Sequence, residues 1–236
     1  SDRSSEAIFE AFARDLYLHL DRTKKPAAAQ ELMVSRLQMW VDFFRRGQER
    51  CLSPQEEAGL VAELLFLEYI ASKSSYADAI EAWQGPLRLP QDFVFDTRRF
   101  EVKSVLNPGN AKIRVSNERQ LDVPGDTRLD LVLARIEEKP GGESLPQLVV
   151  RLNDCAESEG HSLPFKDRLL KTGYADHQAS KFNRTFLLKR FQAYHVGPGF
   201  PKLTSVNLPP QISEVKYSLW SDDLSPFQTE LPECFP

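Results

Sequence analysis

Pro90-Gln91-Asp92-Phe93-Val94-Phe95-Asp96-Thr97-Arg98-Arg99-Phe100-Glu101-Val102-Lys103-Ser104-Val105 is the stretch on which the fold turns. Phe93-Val94-Phe95 and Arg99 to Val105 are short runs rich in strand-forming residues, and the polar Asp96-Thr97-Arg98 between them predicts a tight turn. Side chains alternate between the two faces of a strand, so Glu101 and Lys103 share one face while Phe100 and Val102 share the other. Antiparallel pairing across the turn brings Asp92 towards the end of the strand that carries Glu101 and Lys103. Two carboxylates held close repel each other unless a cation neutralises them, and Mg²⁺ takes oxygen ligands from one or two carboxylates plus water and phosphate. A divalent-cation site is outlined here. The Glu-x-Lys spacing decides little by itself, because Glu137-Glu138-Lys139 and Glu214-Val215-Lys216 repeat it and a salt bridge on a solvated strand explains an isolated triplet. Asp92 is what sets Glu101 apart.

Upstream, helical spacing of apolar residues predicts helices over Ser5 to Leu20 and Gln30 to Arg46, with a break at Lys24-Lys25-Pro26. Ser53-Pro54-Gln55-Glu56 has the chemistry of a capping box followed by proline at the first helical position, and predicts a helix to about Ser72. A short helix from Tyr76 to Trp83 ends at Gly85-Pro86. Downstream, Lys112 to Ser116 is expected to extend the hairpin into a three-strand meander. Leu129 to Ile136, Phe186 to Val196 and Glu214 to Leu219 read as further strands, and Leu145 to Ala156 and Lys166 to Thr172 as helices. Helices followed by strands and then a mixture predict a mixed α/β fold, a central mixed sheet flanked by helices, with extra helices at the N-terminus.

Glu63 stands out on the Ser53 helix. Its neighbours three and four positions away are Gly59, Leu60, Phe66 and Leu67, so it lacks a polar helix face. A carboxylate on an apolar stripe is costly unless it meets a partner. A metal ion with its water shell is one such partner and an arginine is another.

The 236 residues are 41% hydrophobic and 27% charged, the make-up of an ordinary globular chain with a sizeable core. No stretch approaches the roughly 20 apolar residues of a membrane span, and Ser1-Asp2-Arg3-Ser4-Ser5-Glu6 lacks the pattern of a signal peptide, so a cytoplasmic protein is expected. Cys51, Cys155 and Cys234 lie far apart, which argues against a zinc site or a disulfide framework. A net charge of −4 argues against a protein that coats nucleic acid by bulk electrostatics. It leaves room for a nuclease, whose carboxylates lower the net charge while a local basic patch meets the phosphates.

A helix with an acid, an Asp opening a strand, a Glu-x-Lys on the next strand and a following Gln form an ordered pattern. Here these are Glu63, Asp92, Glu101-Val102-Lys103 and Gln120. The order resembles that of PD-(D/E)XK nucleases, and specifically a little-characterised bacterial family assigned to that superfamily. The similarity runs from about residue 50 to Pro201-Lys202-Leu203-Thr204 and Val215-Lys216-Tyr217-Ser218-Leu219, four short motifs in order. Gln91 departs from the pattern by separating Pro90 from Asp92. The resemblance implies a restriction-endonuclease-like core over residues 51–236, preceded by a helical segment over 1–50, and a larger N-terminal portion before this chain. It implies that Asp92, Glu101 and the Val102 carbonyl hold Mg²⁺, which Mn²⁺ can replace, with Glu63 a ligand directly or through water. Lys103 would orient or help deprotonate the attacking water and neutralise the phosphate, and Gln120 would position the water or a backbone phosphate.

The same resemblance implies cleavage of foreign DNA within a bacterial restriction or anti-phage defence cluster, with products of neighbouring genes or a second copy of the chain as protein partners. Arg98, Arg99, Lys112, Arg114 and Ser116 are candidate contacts to the DNA backbone, although a solvated strand face explains Lys112 and Arg114 as well. Lys181, Arg184, Lys189 and Arg190 form a second basic cluster whose interleaved Phe182, Phe186 and Phe191 are expected in the core. A non-catalytic DNA-binding or assembly subunit and an RNase are the alternatives. The first is marked by loss of a ligand or of Lys103, and the second differs only in substrate.

Overall fold

The computed structural model describes residues 9, 10, 12–17, 20, 26–45, 51–106, 109–122 and 125–235. Five helices follow in chain order: α1 (Pro26–Arg45), α2 (Pro54–Ala71), α3 (Tyr76–Ala82), α4 (Leu145–Ser158) and α5 (Ser162–Thr172). The strands are β1 (Phe93–Val94), β2 (Arg98–Val105), β3 (Lys112–Val115), β4 (Arg128–Ser144), β5 (Thr185–His195), β6 (Tyr217–Trp220) and β7 (Gln228–Thr229). Part of the predicted Ser5 to Leu20 helix, together with Lys24, Lys25 and Arg46, lies outside the described residues; residues 9, 10, 12–17 and 20 are helical. Pro26 is the first residue of α1, in keeping with proline's missing N–H and preset φ at a helix start, and the helix thus begins four residues before the expected Gln30.

α2 begins as its sequence predicts. The Ser53 side chain accepts from the Glu56 N–H while the Glu56 carboxylate accepts from the Ser53 N–H. Buried residues lie all round α2, from Ala58 through Leu60, Val61, Leu64 and Phe66 to Ile70, so it is a core helix and not a surface one. Even its Glu57 is buried, and pairs with Arg184.

The main sheet is mixed, in the order β1-β2-β4-β5-β7. β1 and β2 form the predicted antiparallel hairpin, closed by the Phe95 N–H on the Arg98 carbonyl. β2 then runs parallel to β4, with Glu101 beside Leu131 and Lys103 beside Leu133. The expected three-strand meander does not form. β3 leaves the hairpin and pairs antiparallel with β6 in a separate two-stranded sheet. The reason is burial: Ile113 and Val115 of β3 pack with Val105, Leu129, Leu131 and Leu133 on one face of the main sheet, which an edge position in that sheet would not allow. The other face, carrying Phe100, Val102, Val132 and Ala134, packs against α2, α3, α4 and α5. The sheet thus lies between a helical layer and a small β layer.

β4 is longer than expected because it continues past Ile136 through an irregular pairing in which Phe186 faces both Glu138 and Glu143. Gly142 passes so close to Phe186 that an added Cβ would lie 2.6 Å from its carbonyl oxygen, so only glycine fits. Glu214 has a left-handed φ of 58° and stands outside β6, which starts three residues after it. In the second basic cluster, Arg184 binds Glu57 and Glu138, Lys189 binds Glu137, and Phe182 and Phe186 are core residues, as expected. No described helix is long and apolar enough to cross a membrane.

Candidate active site

Three elements meet at one end of the β1–β2 hairpin. The Asp92 carbonyl accepts from the Gln84 and Gly85 N–H groups at 2.7 and 3.0 Å, which pulls the turn after α3 onto the start of β1. The Trp83 indole N–H at that turn donates to Glu63 Oε2 of α2 at 2.8 Å. Gly85 then lies between two acids: a Cβ there would come within 3.0 Å of both Asp92 Oδ1 and Glu63 Oε2. The missing side chain is the space into which the two carboxylates converge.

β2 supplies the rest. The other Asp92 oxygen, Oδ2, accepts from the Val102 N–H at 2.8 Å, which fixes Asp92 against the strand. Glu101 is fully buried, and its Oε1 faces the Lys103 ammonium at 2.6 Å. Its Oε2 has no hydrogen-bond partner among the described residues. A buried carboxylate oxygen left without a partner is expensive, so it marks a position built for something other than the apo fold.

The electrostatics agree with the geometry. Burial pushes the Glu63 carboxyl well above its usual range, and the neighbouring Asp92 and Glu101 charges add to this. Burial also raises Asp92, against the pull of Lys103 and the Val102 N–H. Glu101 is pushed up to about 8, first by burial and then by Asp92. Burial alone would lower Lys103, but the three surrounding carboxylates outweigh it and hold its proton more tightly than usual. Three carboxylates around one ammonium, all drawn from hard oxygen donors, fit a small divalent cation such as Mg²⁺ or Mn²⁺. Among the described residues no three His, Cys, Asp or Glu side chains close into a ready-made metal cage. That is compatible with Mg²⁺, which keeps several waters and takes one or two protein carboxylates.

Residues 1–221 match the family described as "Putative PD-(D/E)XK family member, (DUF4420)". The chain belongs to this family. No curated protein and no solved structure matches it. Membership of a PD-(D/E)XK family points to a nuclease-type hydrolase, and the mixed sheet with packed helices is consistent with a restriction-endonuclease-like fold.

Of the residues singled out in the sequence, this family member brings Glu63, Asp92, Glu101 and Lys103 together, with the Val102 backbone between them. Gln120 sits nearby but is otherwise engaged: its side-chain oxygen accepts from the Ser116 N–H at 2.7 Å. Arg98 donates to the fully buried Asp130 at 2.7 Å and lies over the Phe100 ring, on the face opposite Glu101. Arg99 shares the Glu101 face and donates to Gln91 Oε1. Lys112 and Arg114 are exposed on β3, with the Lys112 ammonium over the Trp220 ring.

Three contributors escape a reading of the sequence. Trp83 looks like an ordinary core aromatic and Gly85 like a helix terminator, yet both shape the Glu63 environment. Gln91, which interrupts the family pattern, is completely buried and donates to the carbonyls of Arg119, Gln120 and Asp122. It ties the residue before Asp92 to the loop that carries Gln120. A signal was present in the sequence: an amide between Pro90 and Asp92, in a run heading into a core strand, needs partners if it is buried.

Proposed function

We propose that the protein is a Mg²⁺-dependent phosphodiester hydrolase, a DNA endonuclease whose active site is Glu63, Asp92, Glu101 and Lys103. The observation that carries this is the buried Glu101, paired to Lys103 by one oxygen and partnerless at the other, beside the converging Asp92 and Glu63 carboxylates. Asp92, Glu101 and the Val102 carbonyl would hold the ion, with Glu63 bound directly or through water. When bound, such an ion supplies a Lewis acid for the scissile phosphate and makes a coordinated water more acidic. The chain's own residues do the rest. The Val102 N–H and Trp83 indole orient Asp92 and Glu63, so that the donors are positioned before substrate arrives. Lys103 keeps its proton because carboxylates surround it, which favours charge neutralisation at the phosphate and orientation of the attacking water over proton abstraction. The family resemblance extends this to foreign DNA as target, in a restriction or anti-phage setting.

The test is calorimetric titration of Mg²⁺ or Mn²⁺ into wild type and Asp92→Ala, beside plasmid nicking by both. Ion binding and nicking by wild type, both absent from the variant, are expected. Wild type that takes up no cation even with DNA present would sink the catalytic reading and leave the assembly-subunit one in its place. Matched DNA and RNA substrates, with DNA the one cut, distinguish the proposal from an RNase.

A further inference from the structure

A cleft of about 480 Å³ opens directly beside the carboxylate cluster, and Glu63 and Gly85 belong to both. Its volume is in the range of small-ligand sites, which run from roughly 300 to 1,000 Å³. One or two nucleotides of a single strand are of that scale, whereas a duplex is not. Its lining includes the turn after α3, ending in Arg88, and the C-terminal end of α5, with Lys171 and Thr172.

Arg88 is unusual in two independent respects. It is exposed, and among the described residues no hydrogen bond or ion pair is made by its guanidinium. It also adopts a left-handed backbone conformation, φ 62° and ψ 27°, one of two non-glycine residues with positive φ among those described. That conformation costs a side-chain-bearing residue on the order of 1 kcal/mol or more relative to glycine. A strained arginine lining a cleft next to a charged site is where a ligand contact is expected to be stored.

The α5 end of the cleft also carries a cation, Lys171. The proton affinity of Lys171 is lowered first by burial and then by Arg168, against the pull of Asp167, and Lys171 has a contact of its own within the fold, as Arg36 and Arg168 do. Arg36 is committed to Asp15 and Asp167, and Arg168 to the Trp83 and Glu81 carbonyls and the Gln84 side chain. Two acids line the same cleft. Glu56 is turned to the Ser53 N–H, and Glu63 belongs to the carboxylate cluster.

We infer that this cleft holds the sugar-phosphate backbone of the DNA strand flanking the scissile bond, with Arg88 and Lys171 as its phosphate contacts. The inference rests on the nuclease reading of the carboxylate cluster, and it assigns the path of the strand. Arg88 and Lys171 line the same cleft as Glu63, so phosphates held by the two cations lie beside the carboxylate cluster that Glu63 and Gly85 share with it.

The experiment measures binding of a fluorescent 20-nucleotide single-stranded DNA by the full chain in EDTA, by anisotropy over a range of salt. Arg88→Gly removes the charge and relaxes the strained backbone, so its thermal stability should not fall and weaker binding cannot be put down to unfolding. Each lost phosphate contact reduces the slope of log K against log salt by about 0.7, which is about a fourfold loss of affinity near 0.15 M salt. Arg88→Gly and Lys171→Met are each expected to show that loss, and Arg88→Lys to recover the slope. Wild-type affinity and slope in both Arg88→Gly and Lys171→Met would overturn the inference, whatever the ion titration shows. Calorimetric Mg²⁺ binding by wild type keeps the two questions apart: its absence would count against the nuclease reading, while the salt slopes still decide the cleft.

Discussion

In a chelator-containing buffer, Glu101→Gln should raise the thermal stability of the protein at pH 8 and flatten its dependence on pH. The Glu101 carboxyl is buried and repelled by Asp92, and so keeps its proton up to about pH 8 against an ordinary value of 4.5. Below pH 4.5 the folded and unfolded chains both carry that proton and Glu101 has no effect on the balance. Between 4.5 and 8 the unfolded chain releases it while the folded one does not, so stability falls as pH rises, by up to about 1.4 kcal/mol per pH unit. At pH 7 the loss is on the order of 3 kcal/mol for this group. Burial raises Asp92 and Glu63 too, which steepens the slope in the same direction. Glutamine has no proton to release, but its amide is not fully satisfied in the same place, so a net gain of about 1–3 kcal/mol at pH 8 is expected. For a chain of this size that is roughly 2–10 °C in Tm. Thermal unfolding followed by circular dichroism at pH 5 and pH 8 in EDTA measures it. Repeating the melts with Mg²⁺ should stabilise wild type and leave the variant little changed. Equal pH slopes in the two proteins, or a lower Tm for the variant at pH 8, would refute the reasoning.

Gly85→Ala places a methyl group 3.0 Å from both the Asp92 and the Glu63 oxygens, so the carboxylates must move apart. Calorimetry should show ion affinity reduced about tenfold or more, as for other groups that position metal ligands, with a Tm close to that of wild type. Gln91→Leu leaves three carbonyls and the Arg99 guanidinium without their partner, and should lower stability by about 2–4 kcal/mol in urea unfolding. An unchanged unfolding midpoint would show that Gln91 is not the tie described. Arg98→Ala strips a cation from the buried Asp130, leaving Arg128 and His195 beside it. It should cost about 2–4 kcal/mol of stability, with the salt dependence of DNA binding unchanged; a reduced salt slope would instead make Arg98 a phosphate contact.

Much of the molecule follows from residues close together in the chain. The capping box at Ser53, the hairpin over Phe93 to Val105 and the shared face of Glu101 and Lys103 depend on spacing and turn chemistry, and the structure shows each of them. Glu63 could be singled out for a similar reason, because a carboxylate lacking a polar helix face is conspicuous before any tertiary contact is known. The pairing of β3 with β6, about a hundred residues downstream, and the parallel contact of β2 with β4 were not legible in this way. A strand of four residues with two apolar side chains suits several neighbours, and the choice is made by which faces can be buried together. The same holds for Trp83, Gly85 and Gln91, whose roles arise only when the turn after α3 is drawn onto Asp92. Spacing along the chain determined which acids share a strand or a helix face. Only tertiary packing decided which acids meet, because repulsion, burial and hydrogen bonding act between groups brought close in space by the burial of apolar surface elsewhere.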